Sequence, residues 1–316
     1  MASSAADAPA PAAAAAADAA PVLKRAQLKG HKDSVLCLAT DTNSRLASGS
    51  ADGMCRLWDL RSFRSVRAAQ LPPEGAEEVS GVSLSSARPH LLLAAGGRNV
   101  YGFDLRSEKV ILKEVSSSAE CSRDDINQVL IDPDGHLCAV AEDTGAVHLL
   151  DLNTWRVDKT LFGKAGHENI CSSVAWKPGR SWCLVSGGLD AAVVFWQRSG
   201  RGRKVQMQPD VGEESATATG PQLLNPPFVH SLAYLPDESL AAGLGDGTVA
   251  LLDPVDRAEI ARLRGHSAAV AQVVSAPFGL VSAGNDLQVV LWSTDPSGRL
   301  PLLQWRHHEK MNWLPA

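Results

Sequence analysis

The sequence predicts an all-β fold made of repeated four-stranded units, and three observations lead to this prediction. Six segments of the chain share one outline, and their marker residues are Trp58, Phe103, Leu150, Trp196, Leu252 and Trp292. The intervals between successive markers are 45, 47, 46, 56 and 40 residues, which centre on the roughly 40–45 residues of a four-stranded propeller blade. The repeated region also lacks a sustained 3.6-residue apolar period, so we expect little helix. The predicted fold class is therefore a β-propeller.

The same order of segments recurs within each unit: an apolar strand, a strand of small residues, a tight turn and a β-branched or leucine-rich strand. The predicted first strands are Val35–Ala39, Val82–Leu84, Ile126–Ile131, Cys171–Trp176, Phe228–Tyr234 and Val270–Val274. Asp52-Gly53 and Asp246-Gly247 predict two-residue hairpin turns in which both central residues have positive φ. The 56-residue interval predicts a flexible insertion at about 198–221, which is rich in Gly, Ser, Thr and charge.

The composition and the N-terminal segment narrow the class of protein. Lys and Arg number 30 and Asp and Glu 35, a net charge of −5, so we expect no binding to nucleic acid or to an anionic membrane. No apolar run reaches the roughly 18 residues of a membrane span. Residues 1–21 are Ala/Pro-rich and lack the basic region of a secretory signal. We therefore predict a disordered tail before a single domain at 22–316, located in the cytoplasm, the nucleus or both.

The cysteines give no sign of a metal site. The six are Cys37, Cys55, Cys121, Cys138, Cys171 and Cys183, and no two of them form a CxxC pair. Zinc sites need clustered ligands, and disulfide scaffolds are short and dense in cysteine. We therefore expect reduced thiols, mostly buried in strands, and neither a metal nor a cofactor.

Recurring dipeptides link the repeat to a known family. The first unit contains Gly30-His31, Asp52-Gly53 and Trp58-Asp59, and two further units, ending at Trp196 and Trp292, repeat this pattern less completely. These residues resemble the WD-repeat family over about residues 22–316. The remaining three units keep the aspartate of the terminal pair but replace the tryptophan.

The resemblance also implies a blade number. Propellers of this family type close with seven blades, whereas this chain ends just after the first strand of its last unit, Met311–Leu314. We therefore expect a seven-bladed type with an incomplete last blade, in which Val22–Leu28 supplies the outer strand. Closure with six blades is the alternative, because an open ring would expose sheet edges.

Three sets of Ser, His and Asp suggest a hydrolase at first sight, since these residues form a nucleophilic triad. The sets are His31, Ser48, Asp52 and Trp58; His167, Ser186, Asp190 and Trp196; and His266, Ser282, Asp286 and Trp292. In each set the serine precedes the aspartate by four residues and the tryptophan follows it by six. An enzyme needs one active site rather than three copies at blade spacing, so we expect no catalytic residue. The resemblance implies that each set is a hydrogen-bonded tetrad that fixes a loop to a turn.

Two arginines that follow successive markers provide the main functional signal. Arg61 follows Trp58-Asp59 and Arg106 follows Phe103-Asp104, each three residues beyond its marker. Because strands alternate in direction, both arginines are expected on one face of the propeller, about one blade apart. These segments resemble the WDxR box with which WD-repeat proteins dock on the damage-specific DNA-binding adaptor of cullin-4 ubiquitin ligases. The resemblance implies that Arg61 and Arg106 contact the adaptor while Asp59 and Asp104 brace the turns. The alternative is that each arginine pairs with its neighbouring aspartate on a solvated turn.

The residues therefore favour a monomeric, non-enzymatic binding module. The first hypothesis is a substrate receptor of a cullin-4 RING ligase that brings an unidentified client protein to the enzyme. The second is a general assembly scaffold, or a reader of histone-type peptides, that uses the opposite face with His31 and Asp52. A basic cluster in the predicted insertion, from Arg198 to Lys204, is expected to be a solvated loop rather than a nuclear address.

Overall fold

A computed structural model describes residues 27–41, 43–73, 78–180, 182–210, 225–277, 279–293 and 301–306. These residues form 25 β-strands joined by turns and irregular segments, and none of them lies in an α-helix. The predicted all-β class is therefore confirmed for this part of the chain. Within the same ranges there is no helix of the length and apolarity that crossing a membrane requires. The predicted tail at 1–21 lies outside the described residues.

The strands form six sheets, which we call blades 1 to 6 in chain order. Blade 1 contains β1 (Val35–Thr40), β2 (Arg45–Ser50), β3 (Met54–Asp59) and β4 (Arg64–Gln70). Blade 2 contains β5 (Gly81–Leu84), β6 (Leu91–Gly96), β7 (Asn99–Asp104) and β9 (Ser117–Glu120). Between β7 and β9, the short β8 (Ile111–Leu112) leaves blade 2 and pairs in parallel with β4 of blade 1.

The other four blades each have four consecutive antiparallel strands. Blade 3 contains β10 (Ile126–Ile131), β11 (Leu137–Glu142), β12 (Val147–Asp151) and β13 (Arg156–Leu161). Blade 4 contains β14 (Cys171–Trp176), β15 (Leu184–Gly188), β16 (Ala192–Trp196) and β17 (Gly202–Gln206). Blade 5 contains β18 (Val229–Tyr234), β19 (Leu240–Leu244), β20 (Thr248–Asp253) and β21 (Ala258–Arg264). Blade 6 contains β22 (Val270–Ala276), β23 (Gly279–Gly284), β24 (Gln288–Trp292) and β25 (Pro301–Arg306).

Apolar cores join the blades in sequence. The first strands of successive blades pack against one another from β1 to β5, β10, β14, β18 and β22. Side chains alternate across each strand, so small residues such as Ala241 and Ala242 in the second strands are fully buried. Gly187 shows how close the approach is, because a Cβ there would lie 2.4 Å from Val229 Cγ1 of the next blade.

The ends of this series are not joined in the same way. Within the described residues, no packing comparable to that of the other pairs connects β22 with β1. The face of blade 6 turned away from blade 5 has its own small apolar cluster, which includes Val274, Val281 and Val289. The strand expected at Met311–Leu314 lies outside the described residues, and so do residues 22–26 of the strand expected at Val22–Leu28. The described chain therefore contains six blades, and the predicted start of a seventh falls beyond it.

Two local predictions were wrong in detail. The loops at Asp52-Gly53 and Asp246-Gly247 contain three residues, and the glycines alone have positive φ, at 72° and 88°. In each, the glycine N–H donates to the carbonyl three residues earlier, so glycine supplies the left-handed residue that ends a type I turn. The segment expected to be a flexible insertion at 198–221 contains β17, the outer strand of blade 4. An outer strand is half exposed and can be polar, so its composition does not separate it from a loop; residues 211–224 lie outside the described ranges.

Candidate functional site

The three Ser, His and Asp sets each connect the loop before a blade's first strand with its second strand, the turn that follows and its third strand. In blade 4, His167 precedes β14, Ser186 lies on β15, Asp190 lies in the turn after β15, and Trp196 ends β16. His167 Nδ1 lies 2.9 Å from Asp190 Oδ1, and Nε2 lies 2.8 Å from Ser186 Oγ. Trp196 Nε1 donates to the same Oγ at 2.8 Å. Because a carboxylate can only accept, the imidazole donates from Nδ1, and in the neutral ring Nε2 then accepts the serine hydroxyl.

The other two sets repeat this geometry. In blade 1 the His31–Ser48 and Trp58–Ser48 distances are 2.7 and 2.8 Å. In blade 6 the His266–Ser282 and Trp292–Ser282 distances are 2.7 and 2.8 Å. His31 and His266 lie 3.2 and 3.1 Å from the carboxylates of Asp52 and Asp286.

These serines are not placed like the catalytic serine of a hydrolase, which must be open to its substrate. Ser186 and Ser282 are fully buried, and each hydroxyl oxygen already accepts a hydrogen bond from an indole. The second oxygen of Asp190 accepts the backbone N–H of Glu168, which fixes the loop before β14 to the turn after β15. A buried, fully bonded hydroxyl holds strands in register, and it offers no open position for a substrate carbonyl.

Blade 4 adds a lysine to its set. Lys204 Nζ on β17 lies 2.8 Å from Asp190 Oδ2. Burial alone would raise the pKa of Asp190, but hydrogen bonds from His167, Lys204 and the Glu168 N–H hold it well below the usual range. The sequence placed Lys204 in a solvated basic cluster, because the partner lies fourteen residues away across the sheet and no local pattern marks it.

The three remaining blades replace the serine and the tryptophan together. Ala94, Val140 and Ala242 occupy the serine position, while Phe103, Leu150 and Leu252 occupy the tryptophan position. Replacing both hydrogen-bonding partners by apolar groups leaves no buried group unsatisfied, whereas replacing one would. The paired substitution therefore preserves the same junction with apolar packing.

Blade 3 contains a buried polar network that the sequence did not reveal. Glu142 ends β11 and is 1% exposed, and its Oε1 lies 3.1 Å from His148 Nε2 on β12. The Ser122 hydroxyl, the Thr144 hydroxyl and the Arg123 N–H donate hydrogen bonds to this carboxylate. Burial opposes the charge, but these hydrogen bonds and His148 lower the pKa of Glu142 to about 2.

The aspartates of the predicted adaptor-binding boxes hold the turns that follow β3 and β7. Asp59 Oδ1 accepts the Arg61 N–H, and Asp104 Oδ1 accepts the Arg106 N–H, each at 2.9 Å. The same bond occurs in blades 3 and 5, where Asp151 and Asp253 accept the N–H groups of Asn153 and Val255 at 2.7 Å. The aspartate thus shapes the turn whichever side chain stands two residues later.

The two arginine side chains are both exposed but have different contacts. Arg106 is 71% exposed and forms a forked pair with Asp104, with Nη2 2.7 Å from Oδ2. This pairing, together with the Arg106 N–H, lowers the pKa of Asp104 to about 2. The Arg61 guanidinium has no hydrogen bond or ion pair within the described residues, and the second oxygen of Asp59 accepts the Ser62 hydroxyl. The structure thus places both arginines in equivalent turns of neighbouring blades, and the pairing considered as the alternative is present at Arg106.

Acidic groups also gather at the surface of blade 3. Carboxylate oxygens of Asp124, Asp125 and Asp143 lie within 4.8 Å of one another, and Asn127 Nδ2 donates to Asp143. Asp124 and Asp125 are exposed, and Asp143 is half-buried. Clusters of this kind are common on protein surfaces without a bound ion.

Comparison with known proteins agrees with the repeated sheets and the hydrogen-bonded sets. The family model described as "WD domain, G-beta repeat" matches residues 23–59 and 158–197, which include the complete sets of blades 1 and 4. The chain is a WD40-repeat protein. It is 25% identical to WD repeat-containing protein 53 homolog of Dictyostelium discoideum, across 91% of this chain and 87% of that protein.

The chain is also similar to two other proteins. Human striatin-4 is 30% identical over 54% of the chain, but that match spans 22% of the striatin-4 length. Nuclear distribution protein nudF of Emericella nidulans is 26% identical across 92% of the chain and 66% of its own length. WD40 propellers typically serve as protein-interaction scaffolds.

Proposed function

We propose that this WD40 propeller is a substrate receptor that docks on the adaptor of cullin-4 RING ubiquitin ligases through Arg61 and Arg106. In this role the protein performs no chemistry. It holds a client close to the ligase and so converts a bimolecular encounter into a local one. Arginine suits such a contact because its planar fork binds carboxylates bidentately.

One comparison between blades supports the proposal. The position two residues after the bracing aspartate is filled by Arg61, Arg106, Asn153 and Val255 in blades 1, 2, 3 and 5. Since the turn forms equally well around asparagine and valine, its architecture does not require arginine. The two arginines are therefore available for a role outside the fold, and they occur in adjacent blades.

The alternative proposal, a scaffold or peptide reader, would use the opposite face. The carboxylates of Asp52, Asp190 and Asp286 on that face are already bonded to histidines and backbone N–H groups. The central cavity, of about 230 Å³, is lined mainly by the later residues of the first strands, which run toward the arginine face. These observations favour the arginine face.

The test is recovery of the adaptor with the full-length chain expressed in cells. We expect Arg61→Ala with Arg106→Ala to abolish co-purification of the adaptor and leave the melting temperature unchanged. The matched control is Asn153→Ala with Val255→Ala, which alters the same turn positions in blades 3 and 5 and should retain the adaptor. Undiminished adaptor recovery with the arginine variant, or equal loss with the control, would contradict the proposal.

A further inference from the structure

A segment of blade 2 crosses onto blade 1 beside the two arginines. We call residues 105–116, between β7 and β9, the strap. Its strand β8 pairs in parallel with β4, and the Ala68 N–H donates to Val110 O at 2.9 Å. The Arg67 guanidinium donates to the carbonyl oxygens of Ser107 and Lys109. Leu112 is 4% exposed within the core between the two blades. The strap is therefore held by this buried side chain as well as by its hydrogen bonds to β4.

The outer surface of this junction is apolar. Phe63 in the turn before β4 and Val66 on β4 are 39% and 44% exposed, and Val110 and Ile111 on the strap are 67% and 49% exposed. Ile111 lies opposite Ala68, two residues from Val66 on the adjacent strand. Side chains two residues apart on a strand share a face, so Val66 and Ile111 lie on the same face of the sheet, and Phe63 and Val110 are near them along the chain. Isolated exposed apolar residues are ordinary, but a contiguous patch indicates an interaction site.

Guanidinium groups border this patch. Arg61 and Arg64 are exposed and have no ion pair within the described residues, and Arg106 stands at the start of the strap. Residues 59–67 contain three arginines and one carboxylate, that of Asp59. This carboxylate accepts hydrogen bonds from the Arg61 N–H and the Ser62 hydroxyl within its own turn. On the strap, Lys109 is paired with Glu114 at 2.6 Å. The blade 1 side of the patch is therefore cationic in a chain of net charge −5.

We infer that Phe63, Val66, Val110 and Ile111 form the hydrophobic centre of an interface whose polar margin is Arg61, Arg64 and Arg106. The occupant is a folded protein surface with an apolar centre and carboxylates at its edge, which is the adaptor if the proposed function holds. The identity of this partner as the adaptor rests on the proposed function. Its physical reason is that exposed ion pairs contribute little to affinity, whereas stable interfaces depend on buried anchors enclosed by a polar rim.

The experiment measures binding of the purified full-length chain to the purified cullin-4 adaptor by titration calorimetry. One patch variant is Val110→Ser with Ile111→Ser, and a second, Phe63→Ser with Val66→Ser, leaves the strap intact in case the first detaches it. The matched control is Val255→Ser with Ile260→Ser, which removes two comparably exposed side chains (79% and 59%) from blade 5. We expect each patch variant to weaken binding about ten-fold or more and the control to bind like the wild type.

The outcomes separate the two proposals. Loss of binding in both the patch variants and the arginine variant supports both. Normal binding by the patch variants, with loss in Arg61→Ala plus Arg106→Ala, overturns the patch and leaves the proposed function standing. Loss in the patch variants alone supports the patch and removes the arginines from the proposed function. Absence of binding by the wild type overturns both.

Discussion

The hydrogen-bonded set of blade 4 allows a stability prediction with a calculable size. Ser186→Ala removes one hydroxyl and retains the Cβ, so it creates almost no cavity. It leaves the Trp196 Nε1–H and the His167 Nε2 atom without their shared partner in a fully buried site. Each buried polar group without a hydrogen bond costs about 1–3 kcal/mol. With two such groups, we therefore expect the free energy of unfolding to fall by about 2–6 kcal/mol.

Denaturant titration followed by tryptophan fluorescence measures this change, and calorimetry should show a lower melting temperature. At about 2–4 °C per kcal/mol for domains of roughly this size, the expected decrease is about 4–24 °C. Ser118→Ala on the exposed face of β9 is the control and should change the stability by less than about 0.5 kcal/mol. A Ser186→Ala variant as stable as this control would refute the claim that the hydroxyl secures the blade junction.

Two further predictions concern acid stability and thiol reactivity. Glu142 has its pKa lowered from 4.5 to about 2, so between these values the folded chain binds fewer protons than the unfolded chain. The stabilisation by Glu142 is present above pH 4.5 and is lost as the pH falls toward 2. In a plot of unfolding free energy against pH, Glu142→Gln should therefore reduce the slope between pH 4.5 and 2. An unchanged slope would contradict this prediction. Cys183 is half-buried whereas the other five thiols are buried, and burial raises the pKa of Cys121 to about 12. A thiol reagent should therefore label about one cysteine quickly at neutral pH, and rapid labelling of three or more would contradict the burial.

Features that repeat within each blade were predictable from the sequence. The second strand contributes Ser186 and the third contributes Trp196 at a fixed separation of ten residues, because neighbouring antiparallel strands set that register. A constant separation in sequence therefore reports a constant contact in space. The spacing identified all three sets and the strands that carry them, and the family comparison confirms the WD40 fold.

Contacts between distant or irregular segments were not predictable. The strap depends on Arg67 donating to carbonyl groups about forty residues away, and backbone carbonyls have no sequence signature. The pair of Glu142 and His148 occurs in one blade, so no repetition drew attention to it. The predicted Asp-Gly turns had the right place but the wrong type, since the dipeptide is compatible with both two- and three-residue loops.

Repetition also separates architecture from recognition in this propeller. The Val174 N–H donates to Gln128 Oε1 of the preceding blade, and Leu232 and Val273 donate in the same way to serine hydroxyls of their preceding blades. A role that recurs at equivalent places is explained by the packing of successive blades. Arg61, Arg106 and the strap break the equivalence, because the corresponding turns of blades 3 and 5 hold their shape with other residues. The proposed docking of a protein partner at that face would explain why exposed arginines and an anchored apolar strap occur at adjacent sites.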